Sequence, residues 1–378
     1  MNNITKGLIE AGHDVRLLTI YTHKHDLEMD KLDKEYVDST NVQGVFVDTR
    51  VNLVDAFSTL ITQDSYNVSR FFSTDFDIRL SKIIKKENFD IIHLESLFMT
   101  PYIGTIRRHS KSKVVLRSHN LEYIIWERVA AATKSLAKKA FLKYLSGQLK
   151  KYELDVITRM DGIVAISKDD QKKYEGIGLK KPLINVPFGI DLDDYPSAKM
   201  APELALFHLG SMDWRPNLEG VLWFLEDIWP SIHSKFPDLK FYLAGRNMPD
   251  HLIELKLPNV VILGEVEDAK MFMLSKQIMV VPLLSAGGIR VKIIEGMALG
   301  KNIISTNVGA EGIDCTDQKD IHLANTKKEF CNAIEKLILD HDHAVKQQQA
   351  ARKLVEKCFD NKVLISNLVD FYQNLLSR

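Results

Sequence analysis

"IMVVPLLSAGGIRVKIIEGMALGKNIIST" occupies residues 278–306, and its reading decides the fold. The run Ile278–Leu284 is apolar without polar alternation, the pattern of a parallel strand covered on both faces. Gly287 and Gly288 follow. A helix is then expected from about Ile289, with Arg290 and Lys292 at its start and Glu295 roughly two turns in. A second apolar run at 302–307 completes a strand–helix–strand unit.

The chemistry of this stretch is specific. Glycines leave the main chain bare, so a ligand can sit against it. A helix start offers unpaired N–H groups and the positive end of a dipole, which suits phosphate oxygens. Arg290 and Lys292 add full positive charge, and Glu295 can accept hydrogen bonds from a pair of sugar hydroxyls. Together these features describe a site for a sugar nucleotide diphosphate. The plain alternative is a tight turn followed by a solvated helix face.

The same alternation fills the chain. Strands are expected at 14–21, 42–48, 90–95, 113–118, 162–167 and 183–189, then at 204–210, 239–245, 259–266, 278–284, 302–307 and 320–325. Helical text between them predicts an α/β protein of two doubly wound domains. The stretch "PFGIDLDDYPSAKMAPE" (187–203), rich in Pro, Asp and Gly, reads as the linker. Domains are therefore expected at 1–190 and 200–355, with 356–378 as a C-terminal helix packing back toward the first domain. The chain opens on a helix, "NNITKGLIEAGH", that Gly12 caps, with no strand ahead of it. The N-terminal domain is thus expected to lack its first strand and the loop after it.

Composition narrows the function classes. Fifty basic and fifty acidic residues give zero formal net charge, which disfavours a nucleic-acid partner. Cys315, Cys331 and Cys358 have neither disulfide nor metal spacing, and no apolar run approaches the length of a membrane span. A cytoplasmic protein is expected. Asp191, Asp193 and Asp194 lack the glycine and terminal glutamate of a calcium loop, so no metal and no cofactor is expected.

In the first half, "RSHNLEYIIWER" begins at a strand end, with His119 and Asn120 in the turn. Strand ends are where reactive side chains of α/β proteins collect. Glu95, in "HLESL", ends another strand and is a site candidate with Asn120. The basic amphipathic stretch 134–153, carrying Lys134, Lys138, Lys139, Lys143, Lys150 and Lys151, is either a solvated helix packed by Leu142, Leu145 and Leu149 or a peripheral contact with anionic lipid.

Several motifs in order carry a family resemblance. "GGIRVKIIEGMALGKNIIST" with "GAEGI" (309–313), "GSMDWRPNLEGVLWFLEDIWP" (210–230), "LAGR" (243–246), "VILGEVED" (261–268), "SHNLEYIIWERVA" (118–130), "DGIVAISKDD" (161–170) and "VPFGIDLDDY" (186–195) span nearly the whole chain. The sequence resembles the retaining glycosyltransferases of the GT-B fold, the group 1/family 4 set, and within it a subset written G-G-x-R-x-K-x-x-E. The resemblance implies two Rossmann-like domains facing a cleft. It places a nucleotide diphosphate sugar donor on the second domain and a glycan or lipid-linked acceptor on the first, which makes Glu95 and Asn120 acceptor-side candidates. It makes Glu295 the second glutamate of the family's E-x7-E motif, the one that holds the donor's ribose. Gly287 stands where the first glutamate of that motif is expected, and Ser211 where the family has a phosphate-binding arginine. Gly210 and Ser211 then belong to the phosphate loop, and Arg215, Arg290 and Lys292 share its neutralising charge, with backbone groups of Gly287, Gly288 and Ile289. His119 falls beside the transferring sugar. Two other readings keep the fold: a sugar-nucleotide epimerase, and a binding remnant without turnover.

Overall fold

A computed structural model describes residues 2–23, 27–49, 66–196 and 203–378. Residues 197–202, in the expected linker, lie outside the described residues. The chain divides into two units, one of Met1–Pro187 with Ile365–Arg378, the other of Phe188–Leu364. The final helix, Asn361–Leu376, is shared by both.

The first unit holds β1 (Leu18–Tyr21), β2 (Gln43–Phe46), β3 (Ile91–Glu95), β4 (Lys113–Ser118), β5 (Gly162–Ala165) and β6 (Leu183–Asn185). β1 pairs with β2, and a separate sheet runs β3-β4-β5-β6, all parallel. Val114, Val115 and Leu116 of β4 are buried, as are Ile163, Val164 and Ala165 of β5, which is why these strands read as unbroken apolar runs. Phe371 and Leu375 of the last helix pack so closely on β5 that a Cβ at Gly162 would lie 2.8 Å from each.

The second unit holds β7 (Glu203–Leu209), β8 (Phe241–Ala244), β9 (Val260–Gly264), β10 (Lys276–Val281), β11 (Asn302–Ser305) and β12 (His322–Leu323). They form one parallel sheet in the order β12-β11-β10-β7-β8-β9. Counted from β7, that is the 3-2-1-4-5-6 order of a Rossmann domain. Successive residues of the central strands serve opposite faces. Ile278, Val280 and Ile304 join a core with Phe224, Trp229 and Phe330. Met279, Val281 and Ile303 join another with Ile293, Met297 and Val355. The connection reverses direction between β7 and β10, and ligands of such sheets bind at the strands' carboxyl ends there.

Each expected strand has a counterpart, usually shorter than its apolar run. The helix of the opening stretch begins later than expected, at Val291, and ends at Ala298. Arg290 is its N-cap residue and not part of its face. The cause is Gly288, whose φ of 84° turns the chain and delays helical geometry. Among the described residues no helix is long and apolar enough to cross a membrane.

Candidate functional site

In the second unit, the loops after β7, β10 and β11 converge at the switch point. Gly210 follows β7, and its backbone N–H bonds the carbonyl of Ala244 at 3.0 Å. A Cβ at Gly245 would sit 1.8 Å from the Gly210 oxygen, so both turns are drawn tightly together. Asn217, on the helix Arg215–Trp223, donates to the Ser211 carbonyl at 2.9 Å and fixes the turn from below.

Lys292 reaches this turn from the far side. Its Nζ lies 3.1 Å from the Leu209 carbonyl, 2.9 Å from Asn217 Oδ1 and 3.5 Å from His208 Nε2. A Cβ at Gly210 would stand 3.0 Å from that Nζ and 2.6 Å from Asn217 Nδ2. Burial, and secondarily the charge of Arg290, lowers the Lys292 pKa to about 7.

Arg290 is turned inward. Its Nη1 donates to the Gly287 carbonyl at 2.7 Å and to the Gly288 carbonyl, and Nη2 to that of Val308 at 3.5 Å. Its guanidinium also lies 5.5 Å from the centre of the Trp214 ring. The side chain thus clamps the glycine loop and holds its charge against the loop's inner surface; burial lowers its pKa. Nothing lies within 4 Å of where a Cβ of Gly287 would be, so that position is open.

Glu295 accepts a 2.8 Å hydrogen bond at Oε1 from the Tyr195 hydroxyl. Arg215 is apart from this group: it is 86% exposed and pairs with Glu219 at 2.6 Å. Ser211 donates to Asp213 Oδ1 at 2.5 Å and so spends its hydroxyl proton locally. The structure therefore brings Gly210, Lys292, Arg290, Gly287 and Gly288 into one constellation and leaves Arg215 at its rim.

In the first unit, the β3–β4 register sets Glu95 opposite Arg117. Arg117, only 1% exposed, donates to both Glu95 oxygens at 3.2 and 3.4 Å. His119 Nε2 meets Glu95 Oε2 at 2.8 Å, and since a carboxylate only accepts, that nitrogen carries a proton. His93 stands on the other side, its Nε2 3.8 Å from Glu95 Oε1 and its Nδ1 on the Tyr372 hydroxyl. Burial alone would raise the Glu95 pKa, but the His119 hydrogen bond and the charges of His93 and Arg117 outweigh it and lower it to about 2. Asn120 is placed beside them by its carbonyl, which accepts from Ser118 Oγ at 2.8 Å.

Arg117, His93, Tyr372, Tyr195, His208 and Asn217 were not among the sequence candidates. Arg117 had a signal, a cation inside the apolar strand "KVVLRS". Among the described residues no cluster of three or more His, Cys, Asp or Glu is placed to hold a metal ion.

A Rossmann-order domain with a cationic switch point, in a chain that also holds a second parallel-sheet unit, is the framework of a two-domain GT-B enzyme. The family model described as Glycosyltransferase Family 4 matches residues 1–194, and the one described as Glycosyl transferases group 1 matches 203–340. The chain belongs to glycosyltransferase family 4. It is 24% identical over 339 residues to an uncharacterized 44.6 kDa protein in the cps region of Klebsiella pneumoniae, covering 86% of this chain and 83% of that protein. It is 23% identical over 242 residues to a phosphatidyl-myo-inositol mannosyltransferase of Mycolicibacterium smegmatis, covering 61% of this chain and 57% of that one. Among solved structures, sucrose-phosphate synthase from Thermosynechococcus elongatus superposes with a TM-score of 0.67 at 14% identity, over 99% of this chain and 92% of that one. The protein is a glycosyltransferase with a two-domain, Rossmann-like GT-B fold.

Proposed function

We propose that the protein transfers a sugar, with retention of configuration, from a nucleotide diphosphate donor to a glycan or lipid-linked acceptor in surface polysaccharide assembly. It works in the cytoplasm and needs no metal. The observation that carries this reading is Lys292, a half-buried lysine with three neutral partners, set beneath the Gly210 turn at the switch point. The relative from a cps region supports the polysaccharide setting.

In this reading the diphosphate lies against the bare backbone of Gly210, Gly287 and Gly288. Lys292 and Arg290 supply its counter-charge, with Ser211, Ile289 and Arg215 at the edge. Glu295 holds the ribose. The bond from the anomeric carbon to the phosphate oxygen breaks as the acceptor oxygen bonds on the same face. The departing phosphate takes the acceptor's proton, so no side chain must act as base. Fixed cations stabilise the charge that develops on the leaving diphosphate. His119, oriented by Glu95, positions the acceptor or a sugar hydroxyl, with Asn120 beside it.

The helix Leu136–Thr158 supports a peripheral lipid contact: Leu136, Phe141 and Tyr144 are exposed among Lys138, Lys139 and Lys143, while Leu142 and Leu149 face inward. Flotation with phosphatidylglycerol vesicles tests it, and equal recovery with uncharged vesicles would refute the electrostatic part.

The deciding assay is release of nucleoside diphosphate from a panel of nucleotide sugars. Turnover should fall about a hundredfold in Lys292→Met and in Glu295→Ala. A second reading, binding without turnover, is favoured by Gly287, where the family's first carboxylate is replaced by open space. Donor binding with no release from any sugar nucleotide would select it.

A further inference from the structure

We infer that His208 is a positioning residue that holds the Lys292 ammonium beneath the Leu209–Gly210 turn, where its charge, and not a free N–H, acts on the donor's diphosphate. The inference rests on the donor-site reading above.

His208 lies in β7 and is fully buried. Its Nδ1 is 2.9 Å from the Val280 carbonyl of the neighbouring strand. A carbonyl only accepts, so Nδ1 carries the proton and Nε2 keeps its lone pair. That lone pair is what faces Lys292 Nζ at 3.5 Å. Burial, then the charge of Lys292, keeps the His208 pKa well below its ordinary value, so the ring stays neutral and stays an acceptor. The partner that fixes the tautomer lies on β10, the strand paired with β7 across the switch point.

Lys292 then has three N–H donors for three acceptors: Leu209 oxygen, Asn217 Oδ1 and His208 Nε2. All three acceptors are neutral. Asp213 accepts from Ser211, Glu219 from Arg215 and Glu295 from Tyr195, and none of them is a hydrogen-bond partner of Lys292. Arg290, at the start of the same helix, only adds positive charge. The ammonium is therefore oriented without being neutralised. A carboxylate at position 208 would orient it equally well but would cancel its charge and repel phosphate. A neutral histidine with a locked tautomer avoids both. Burial has lowered the Lys292 pKa to about 7, and an arriving diphosphate restores the protonated form, so donor binding takes up a proton near neutral pH.

The test is isothermal titration of the full chain with UDP and, separately, GDP between about pH 6.5 and 9, in buffers of unlike ionisation enthalpy. For the preferred nucleotide, the expected result is proton uptake and an affinity that falls by up to about tenfold per pH unit on the alkaline side. His208→Leu should weaken binding about tenfold and move that fall to lower pH by about one unit, because the ammonium loses an acceptor. His208→Gln, whose side-chain oxygen can reach the Nε2 position, should restore most of both. A merely structural role would lower stability in both variants without moving the pH limb. Wild-type affinity and pH limb in His208→Leu overturn the inference while the donor site stands. Undiminished binding by Lys292→Met, or no binding of either nucleotide by the unaltered chain, overturns the donor-site reading itself. Nitrogen-15 shifts of the unaltered chain supply a check independent of folding: an Nδ1–H ring that responds to nucleotide supports the inference, and an Nε2–H ring refutes it.

Discussion

Glu95 and Arg117 face each other across the β3–β4 ladder, and the guanidinium donates to both carboxylate oxygens. Arg117 also reaches the Val186 and Pro187 carbonyls at 3.5 Å, so it ties the strand end to the segment leaving the first unit. Removing one member of a buried pair strands the other's charge. Arg117→Met should cost about 3–5 kcal/mol, read from urea unfolding. Glu95→Gln leaves Arg117 its carbonyl partners and should cost less. Equal, small losses for both would mean that the pair is solvated.

The same network should make the first unit acid-sensitive. Burial lowers the His93 pKa to about 4, with the Glu95 charge opposing and Arg117 assisting, while that of Glu95 is lowered to about 2. Both folded values lie below the unfolded ones. The folded state thus binds fewer protons, and acid favours unfolding. The stability linked to His93 is lost as pH falls from about 6.5 to 4, and that linked to Glu95 between about 4.5 and 2. Hydrogen-exchange protection factors at β3 and β4, which already allow for the slower intrinsic exchange in acid, should fall below about pH 6. In His93→Phe the upper part of that loss should vanish, and an unchanged profile would exclude His93 as its source.

The sequence showed the strands because parallel strands buried on both faces leave continuous apolar text, and the Rossmann-like alternation followed from it. The proposed donor constellation could be named from sequence where it is local, at Gly287–Glu295. The inward turn of Arg290 was not, because it depends on which carbonyls the glycine turn exposes. Tyr195 meets Glu295 across 100 positions and Tyr372 meets His93 across 279, and neither tyrosine stands in a pattern that announces its partner. His208 looked like one more strand residue. Its meaning comes from the lysine that the fold brings to it, 84 positions later.

Gly245 tests the close approach of two turns. Its φ of 153° disfavours other residues, and an added Cβ would meet backbone, the Gly210 oxygen at 1.8 Å, so relief requires moving the turn that Lys292 supports. Gly245→Ala should destabilise the second unit by about 1–3 kcal/mol and weaken donor binding more than tenfold. Gly287→Ala, facing open space, is the matched control and should fold with unchanged stability. Equal melting temperatures for the two variants would contradict this picture of the turn.

Tyr195 bears on the proposed grip of Glu295 on the donor's ribose. Its ring is buried, with the Lys270 ammonium 4.5 Å from the ring centre. Burial and the neighbouring Glu295 carboxylate raise the pKa of its hydroxyl, so it remains a proton donor at any physiological pH. It occupies Oε1 of Glu295 at 2.8 Å and thereby fixes the plane of the carboxylate. Tyr195→Phe keeps the packing and removes that anchor, a loss of roughly 1 kcal/mol. The donor KM should rise about fivefold while kcat stays within about twofold, since an orienting bond is made in ground and transition states alike. Glu295→Ala removes the proposed ribose partner itself and should lower kcat/KM much further. Should Tyr195→Phe reduce kcat and leave KM unchanged, Glu295 would be acting on the reacting centre and not on the ribose.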